Sequence, residues 1–195
     1  MDEDEEQDRR RKRKKPAEAT PEALNKAALR YIDRYATSRA NLRRVLLARV
    51  ERSARAHGTD RETGAAAVEQ ILQRLTEAGL LDDGAYAEGQ ARRHLRAGAS
   101  GRFMRAKLAA KGLDRATIEQ AVAGLAEQVS DPELTAALAF ARRKRLGPYR
   151  PEAQRAERRE RDLAALDRRG FDLEIARKII DASDLAALEA EVETL

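Results

Sequence analysis

A glycine, one or two apolar residues and then aspartate recur along this chain, and the recurrence limits what it can fold into. Gly79-Leu80-Leu81-Asp82-Asp83-Gly84-Ala85-Tyr86-Ala87 is the fullest instance. Gly79 suits the C′ position of a helix, where the left-handed backbone is open to glycine without a Cβ clash. Leu80 then falls at C″ and Leu75 at C3, the pair that meets in a Schellman motif. Asp82 follows as the N-cap of a second helix, its carboxylate accepting from a first-turn amide. Asp83 adds negative charge where the helix dipole favours it. Leu81 and Tyr86 have the N′ to N4 spacing of a hydrophobic staple, which sets the angle between the two helices. A catalytic or metal-binding aspartate pair is the competing reading, but capping already gives both carboxylates a local role.

The same grammar returns at Leu108-Ala109-Ala110-Lys111-Gly112-Leu113-Asp114, with Gly112 at C′, Asp114 as N-cap and Ile118 at N4. It returns again at Leu166-Asp167-Arg168-Arg169-Gly170-Phe171-Asp172, where Gly170 and Asp172 take those places. At one offset Leu108 lies over Leu166, Thr117 over Ile175, Ala121 over Ile179 and Val122 over Ile180. One helical unit used more than once is the mark of a repeat protein. The expected fold is all-α, in tandem three-helix repeats at 22–81, 82–129 and 130–183. A charged tail and linker occupy 1–21, and an acidic end occupies 184–195.

In the tail, Asp2 to Asp8 is acidic and Arg9 to Lys15 is an unbroken basic run. Nothing in it can be buried, so disorder is expected, with the basic run able to meet phosphates. Thr20 or its neighbour caps the first helix, with Pro21 at its first position. That helix is expected over Glu22 to Ala36, with Leu24, Ala28, Tyr31, Ile32 and Tyr35 on one face. Ser38 starts the second, which carries Leu42, Leu46 and Val50 and runs on to Ala56 or His57. Gly58-Thr59-Asp60 ends it and caps a third helix bearing Ala67, Val68, Ile71, Leu72 and Leu75. The second repeat carries Tyr86, Ala91 and Leu95, pauses at Gly98 to Gly101, and resumes through Met104 and Leu108. Its last helix carries Ile118, Val122 and Leu125. Ser130 or Asp131 caps the third repeat, which carries Leu134, Leu138 and Ala141 and breaks at Gly147-Pro148. Arg155 to Arg169 reads as a very charged helix, and Asp172 to Ala182 closes the repeat with Ile175, Ile179 and Ile180. Asp184 to Leu195 is a final short helix or a frayed end.

Hydrophobic residues make up 42% of the chain but aromatics only 4%, so the apolar material is largely alanine and leucine. Such residues favour helix and bury little area each, which predicts thin helix-helix cores. The formal net charge is +5 with 37% charged residues, a surface that suits a polyanion or an acidic partner. With 0 cysteines there is no disulfide framework and no thiol chemistry. No stretch is long and apolar enough to span a membrane, and no signal peptide core is present, so a cytoplasmic protein is expected.

Chemistry points to binding rather than catalysis. The 2 histidines, His57 and His94, lack the spacing of a helical zinc pair and sit among arginines, as solvated surface histidines do. No glycine-rich phosphate loop follows a strand, and Ser38 and Ser100 sit where caps are wanted. No enzyme activity, cofactor or metal is expected. Basic clusters remain: Arg43, Arg44, Arg49, Arg52 and Arg55; Arg92, Arg93, Arg96, Arg102, Arg105, Lys107 and Lys111; and Arg142, Arg143, Lys144 and Arg145. Helix dipoles favour cations at C-termini and account for some, but not for basic residues in every repeat. Arginine predominates, which suits a bidentate grip on phosphate or carboxylate. Few aromatics are interleaved with these residues, so base stacking is not expected.

The stretch Gly79-Leu80-Leu81-Asp82-Asp83 with Tyr86-Ala87 resembles the leucine-hydrophobic-Asp-Asp-x-x-aromatic-Ala signature of the RecX regulatory proteins. Ala28 to Leu46 with Ser38-Arg39-Ala40-Asn41-Leu42, Leu108 to Asp114, and Arg142-Arg143-Lys144-Arg145-Leu146-Gly147-Pro148-Tyr149 resemble that family too. The resemblance runs from about Leu24 to Asp181. Gln90 departs from it where a larger apolar residue or tryptophan is expected, and Val50 to Gly58 lengthens one helix. The resemblance implies an elongated, curved array that lodges in the groove of the RecA filament on DNA. It also implies inhibition of recombination and ATP hydrolysis, in DNA repair and the SOS response, by a monomer that binds single- or double-stranded DNA weakly and without sequence preference. The alternatives are a freestanding DNA-binding protein of helix-turn-helix type and an adaptor for an acidic protein.

Overall fold

The computed structural model describes residues 16–192, so the tail at 1–15, expected to be disordered, and 193–195 lie outside it. Among the described residues there are ten α-helices, three short 3-10 turns and no strand. In order the helices are α1 (Pro21–Arg34), α2 (Arg39–His57), α3 (Arg61–Glu77), α4 (Asp83–Arg96) and α5 (Gly101–Ala109). They continue as α6 (Arg115–Ala123), α7 (Pro132–Lys144), α8 (Arg155–Arg169), α9 (Leu173–Ile180) and α10 (Leu185–Ala190). The chain divides into two compact units, Met1–Asp82 and Asp83–Leu195. No helix among the described residues is long and apolar enough to cross a membrane.

In the first unit, side-chain caps set the helix starts. Thr20 Oγ1 accepts from Ala23 N at 3.2 Å, Ser38 Oγ from Asn41 N at 3.2 Å, and Asp60 Oδ2 from Thr63 N at 2.7 Å. Each satisfies an amide that has no partner inside its helix. α1 stops at Arg34, short of Ala36, because Tyr35 is already extended at φ −137° and ψ 122°. Tyr35 is therefore 50% exposed and drops out of the buried face, leaving Leu24 and Ala28 in the core. They pack with Leu42, Leu46, Val68, Ile71 and Leu72; burying a leucine or valine is worth about 1.5–3 kcal/mol. α2 runs to His57 and closes at Gly58. Its extension explains Gly64, where a Cβ would lie 2.6 Å from Val50 Cγ1. The bare glycine lets α3 cross α2 closely.

The Gly79 joint forms the expected backbone pattern with one change. Gly79 has φ 68°, Leu80 N donates to Leu75 O at 2.9 Å, and Gly79 N donates to Thr76 O at 3.0 Å, the bond pair of a Schellman turn. Leu80 itself is 56% exposed, so it does not make a buried contact with Leu75. Leu81, whose amide also reaches Leu75 O at 3.2 Å, is 4% exposed and takes the apolar role one residue later. Asp82 directly precedes α4, whose first residue is Asp83.

The second unit repeats the capping chemistry. Ser100 Oγ accepts from Phe103 N, Asp114 from Thr117 N, Asp172 from Ile175 N and Asp184 from Ala187 N. Gly112 and Gly170 are left-handed at φ 76° and 98°. Asp131 rather than Ser130 caps α7, accepting from Glu133 N and Leu134 N, while the Ser130 hydroxyl donates to Glu191 O. Leu125 is buried from a 3-10 turn (Gly124–Glu127), not from α6. The core joins Leu95, Met104, Leu108, Leu134, Leu166, Phe171 and Ile179 to fully buried alanines such as Ala91 and Ala137. Small residues there let the helix axes approach.

The break at Gly147-Pro148 is held by the charged helix beside it. Asp162 on α8 is only 2% exposed. It accepts from Gly147 N at 2.9 Å and from Arg150 Nη2 at 3.0 Å. Arg155 adds bonds to the carbonyls of Arg150 and Pro148. A buried carboxylate persists only where charge and hydrogen bonds compensate its lost hydration, as they do here.

Candidate functional site

The basic residues separate into those neutralised within their own unit and those left to solvent. In the first unit Arg43 Nε lies 2.5 Å from Glu69 Oε1. Arg55 and Arg61 share Glu51 at 2.7 and 2.8 Å, and the Arg61 bond first, then that of Arg55, holds its carboxyl down at about 2. Arg44 bonds only the neutral Asn41 side chain, at 2.9 Å. Arg49 and Arg52 are exposed beside a recess of about 330 Å³ shared with Lys26, Arg30 and the linker from Pro16 to Ala19. Neither has a carboxylate partner among the described residues.

In the second unit Arg92 pairs with Glu88 at 3.5 Å, one helical turn away. Arg105 Nε lies 3.0 Å from both oxygens of Glu119, whose pKa it lowers. Arg93 and Arg102 are exposed and carry no ion pair among the described residues. Arg142, Arg143, Lys144 and Arg145 are likewise exposed at the C-terminal end of α7, where the helix dipole also favours positive charge. Arg145 is the non-glycine residue with a left-handed backbone among the described residues, at φ 54°. Its amide donates to Arg142 O and that of Leu146 to Ala141 O, closing α7 as the glycines close other helices. Of the clustered basic residues named from sequence, Arg43, Arg55, Arg92 and Arg105 are thus neutralised locally.

Two arrangements lay outside the sequence reading. On α8, Arg158, Arg161 and Arg168 border a cleft with Arg150 and Ala165. The spacing of Arg161 and Arg168, two helical turns, was the available signal. Arg169 is the second. Its guanidinium carbon stands 4.0 Å from the Phe103 ring centroid and 5.7 Å from that of Phe140. Lys107 approaches the Phe103 ring at 5.1 Å and Arg143 the Phe140 ring at 5.8 Å. Two aromatic rings therefore do alternate with cations in the folded unit, although the residues are far apart in sequence. His94 is also not a solvated surface histidine. It is half-buried with its ring edge-on to Phe103 at 6.3 Å. Burial lowers its pKa, helped by the positive charges of Arg93, Arg169 and Lys107.

Comparison with known proteins supplies the family. The family model described as RecX, second three-helix domain, matches residues 82–122, which span the joint aspartates and the helices α4 to α6. The regulatory protein RecX of Myxococcus xanthus is 42% identical over 170 residues, covering 87% of this chain and 90% of that protein. The chain belongs to the RecX family. The RecX regulatory protein of Thermobifida fusca is 33% identical over 166 residues, 83% of this chain and 85% of its own length. That of Agrobacterium fabrum is 40% identical over 100 residues, 51% of each chain. Among RecX features, Asp82, Asp83, Tyr86 and Ala87 stand at the start of the matched segment, where α4 leaves the Gly79 joint.

Proposed function

We propose that this RecX-family chain is a non-enzymatic regulator that binds the RecA recombinase filament on DNA and restrains its recombination and ATPase activities in DNA repair. The observation that carries the reading is likeness to a protein named as regulatory over 87% of the chain. The distribution of charge supports it. Exposed arginines without carboxylate partners among the described residues occur in both units, Arg44 and Arg49 in the first and Arg142 and Arg143 in the second. A filament offers one surface again and again, and two tethered basic units engage it together at high effective concentration. The restraint is steric and electrostatic, exerted by a cytoplasmic monomer arranged as three helical repeats. Binding to naked DNA is weak, salt-sensitive and blind to sequence.

The test is RecA-catalysed ATP hydrolysis and strand exchange on single-stranded DNA, titrated with wild type and two charge-reversed variants. Arg44→Glu with Arg49→Glu, and Arg142→Glu with Arg143→Glu, should each weaken the inhibition alone, because both units grip. If excess wild-type protein leaves both activities unchanged, the filament reading fails. A freestanding helix-turn-helix DNA-binding protein then takes its place, recognised by a large preference for a specific duplex.

A further inference from the structure

Three cations in the second unit are linked through two shared aromatic rings. Lys107 of α5 lies over Phe103, Arg169 at the end of α8 stands between Phe103 and Phe140, and Arg143 of α7 lies over Phe140. Through the shared rings Lys107 lies within about 9 Å of Arg169, and Arg169 within about 12 Å of Arg143; the screening length is about 8 Å at physiological salt, so part of their mutual repulsion survives. None has a carboxylate partner among the described residues. Cation–π contact offsets part of the repulsion but does not neutralise it.

Arg169 is the organised member. Its Nε donates to Gly98 O at 3.1 Å, which fixes the guanidinium plane. Ser100 Oγ, in turn, donates to Arg169 O at 3.0 Å. The two terminal amino groups of Arg169 have no acceptor among the described residues, and no buried side-chain nitrogen or oxygen there lacks a partner. Those groups are therefore within reach of a ligand. A fixed fork with two free donors fits two oxygens of one tetrahedral anion.

We propose that the ladder Lys107–Phe103–Arg169–Phe140–Arg143 is a phosphodiester-binding site that takes a nucleic-acid backbone through successive phosphates. A backbone carries one negative charge at every ~3.4 Å along a strand, dense enough to answer several cations at once. Isolated carboxylates answer one each. The Phe103 ring is already occupied by Arg169 and Lys107, so the ladder holds phosphate and leaves bases unread. This goes beyond the regulatory reading in assigning these residues to nucleic acid, and it requires no recombinase. The depressed pKa of His94, to which Arg169 and Lys107 contribute, supplies a local reporter of the unneutralised charge.

The experiment measures binding of the full chain to labelled oligothymidylate, an abasic oligomer of equal length and a duplex, each across a salt series. Variants are Lys107→Gln, Arg143→Gln, their double, and the ion-paired control Arg105→Gln. Retention of fold is checked by helicity and melting temperature. The salt slope should fall by about 0.7 for each single-strand phosphate that a variant no longer neutralises. Oligothymidylate and abasic binding should fall together, Arg105→Gln should change little, and the His94 pKa read by NMR should rise on saturation with oligothymidylate. The duplex series shows which form of backbone is preferred. Wild-type failure to bind, an unchanged slope in a folded double variant, an unmoved His94 pKa, or equal affinity for polyglutamate would each overturn the site. Loss of oligonucleotide binding with RecA inhibition intact supports the ladder and leaves the regulatory reading separate.

Discussion

Replacing Gly98 by alanine should destabilise the second unit far more than the same change at Gly79 destabilises the first. Both glycines are left-handed, at φ 65° and 68°. An L side chain there costs about 1 kcal/mol net of the gain from a stiffer unfolded chain. At Gly79 that is the whole effect, because nothing lies within 4 Å of an added Cβ. At Gly98 the Cβ would stand 2.5 Å from Phe140 N and 2.8 Å from Phe140 Cα. These are backbone atoms of α7, so a helix must move rather than a side-chain tip, adding about 1–3 kcal/mol. The expected loss is thus about 2–4 kcal/mol at Gly98 against about 1 kcal/mol at Gly79. The move also displaces the carbonyl that holds Arg169. Native-state hydrogen exchange of core amides in α7 and α3 reads the two units separately, which a single melting curve does not. Equal losses at the two positions would refute the close-approach argument.

Ser100→Ala removes a cap on Phe103 N and a bond to Arg169 O at a fully buried position, and should cost about 2 kcal/mol by urea denaturation. Ser38→Ala, which loses the cap on Asn41 N, should cost about 1 kcal/mol. Arg145→Gly relieves a left-handed arginine and should stabilise α7 by about 0.5–1 kcal/mol, seen as slower exchange of the Leu146 amide. For His94 the folded pKa lies below the unfolded one, chiefly through burial, so the unfolded chain binds the extra proton first. Stability should decline as pH falls from about 6.5 to the folded value and level off below it, and His94→Gln should abolish that decline in a pH series of unfolding curves.

Local chemistry was the legible part of this chain. A cap joins a side chain to an amide three residues on, so Ser38, Asp114 and Asp172 could be read from spacing alone. Which of two adjacent leucines is buried could not, because Leu80 and Leu81 differ only in the direction the turn sends them. Charge was legible as clusters but not as net field. Glu69, which neutralises Arg43, is 26 residues away in sequence. The cation ladder was hidden for the same reason: Phe103, Phe140 and Arg169 come from α5, α7 and α8 and meet only after packing. Asp162 looked like one charge among many on α8, and its burial follows from the Gly147 turn folding over it.

Co-sedimentation with RecA filaments assembled on single-stranded DNA, with naked DNA and RecA-free controls alongside, tests the regulatory account most directly. Wild-type protein should pellet with the filaments at concentrations and salt where naked DNA retains little of it, and reversing Arg142 and Arg143 should release it. Equal recovery on naked DNA and on filaments, or none on filaments at excess protein, would contradict the account.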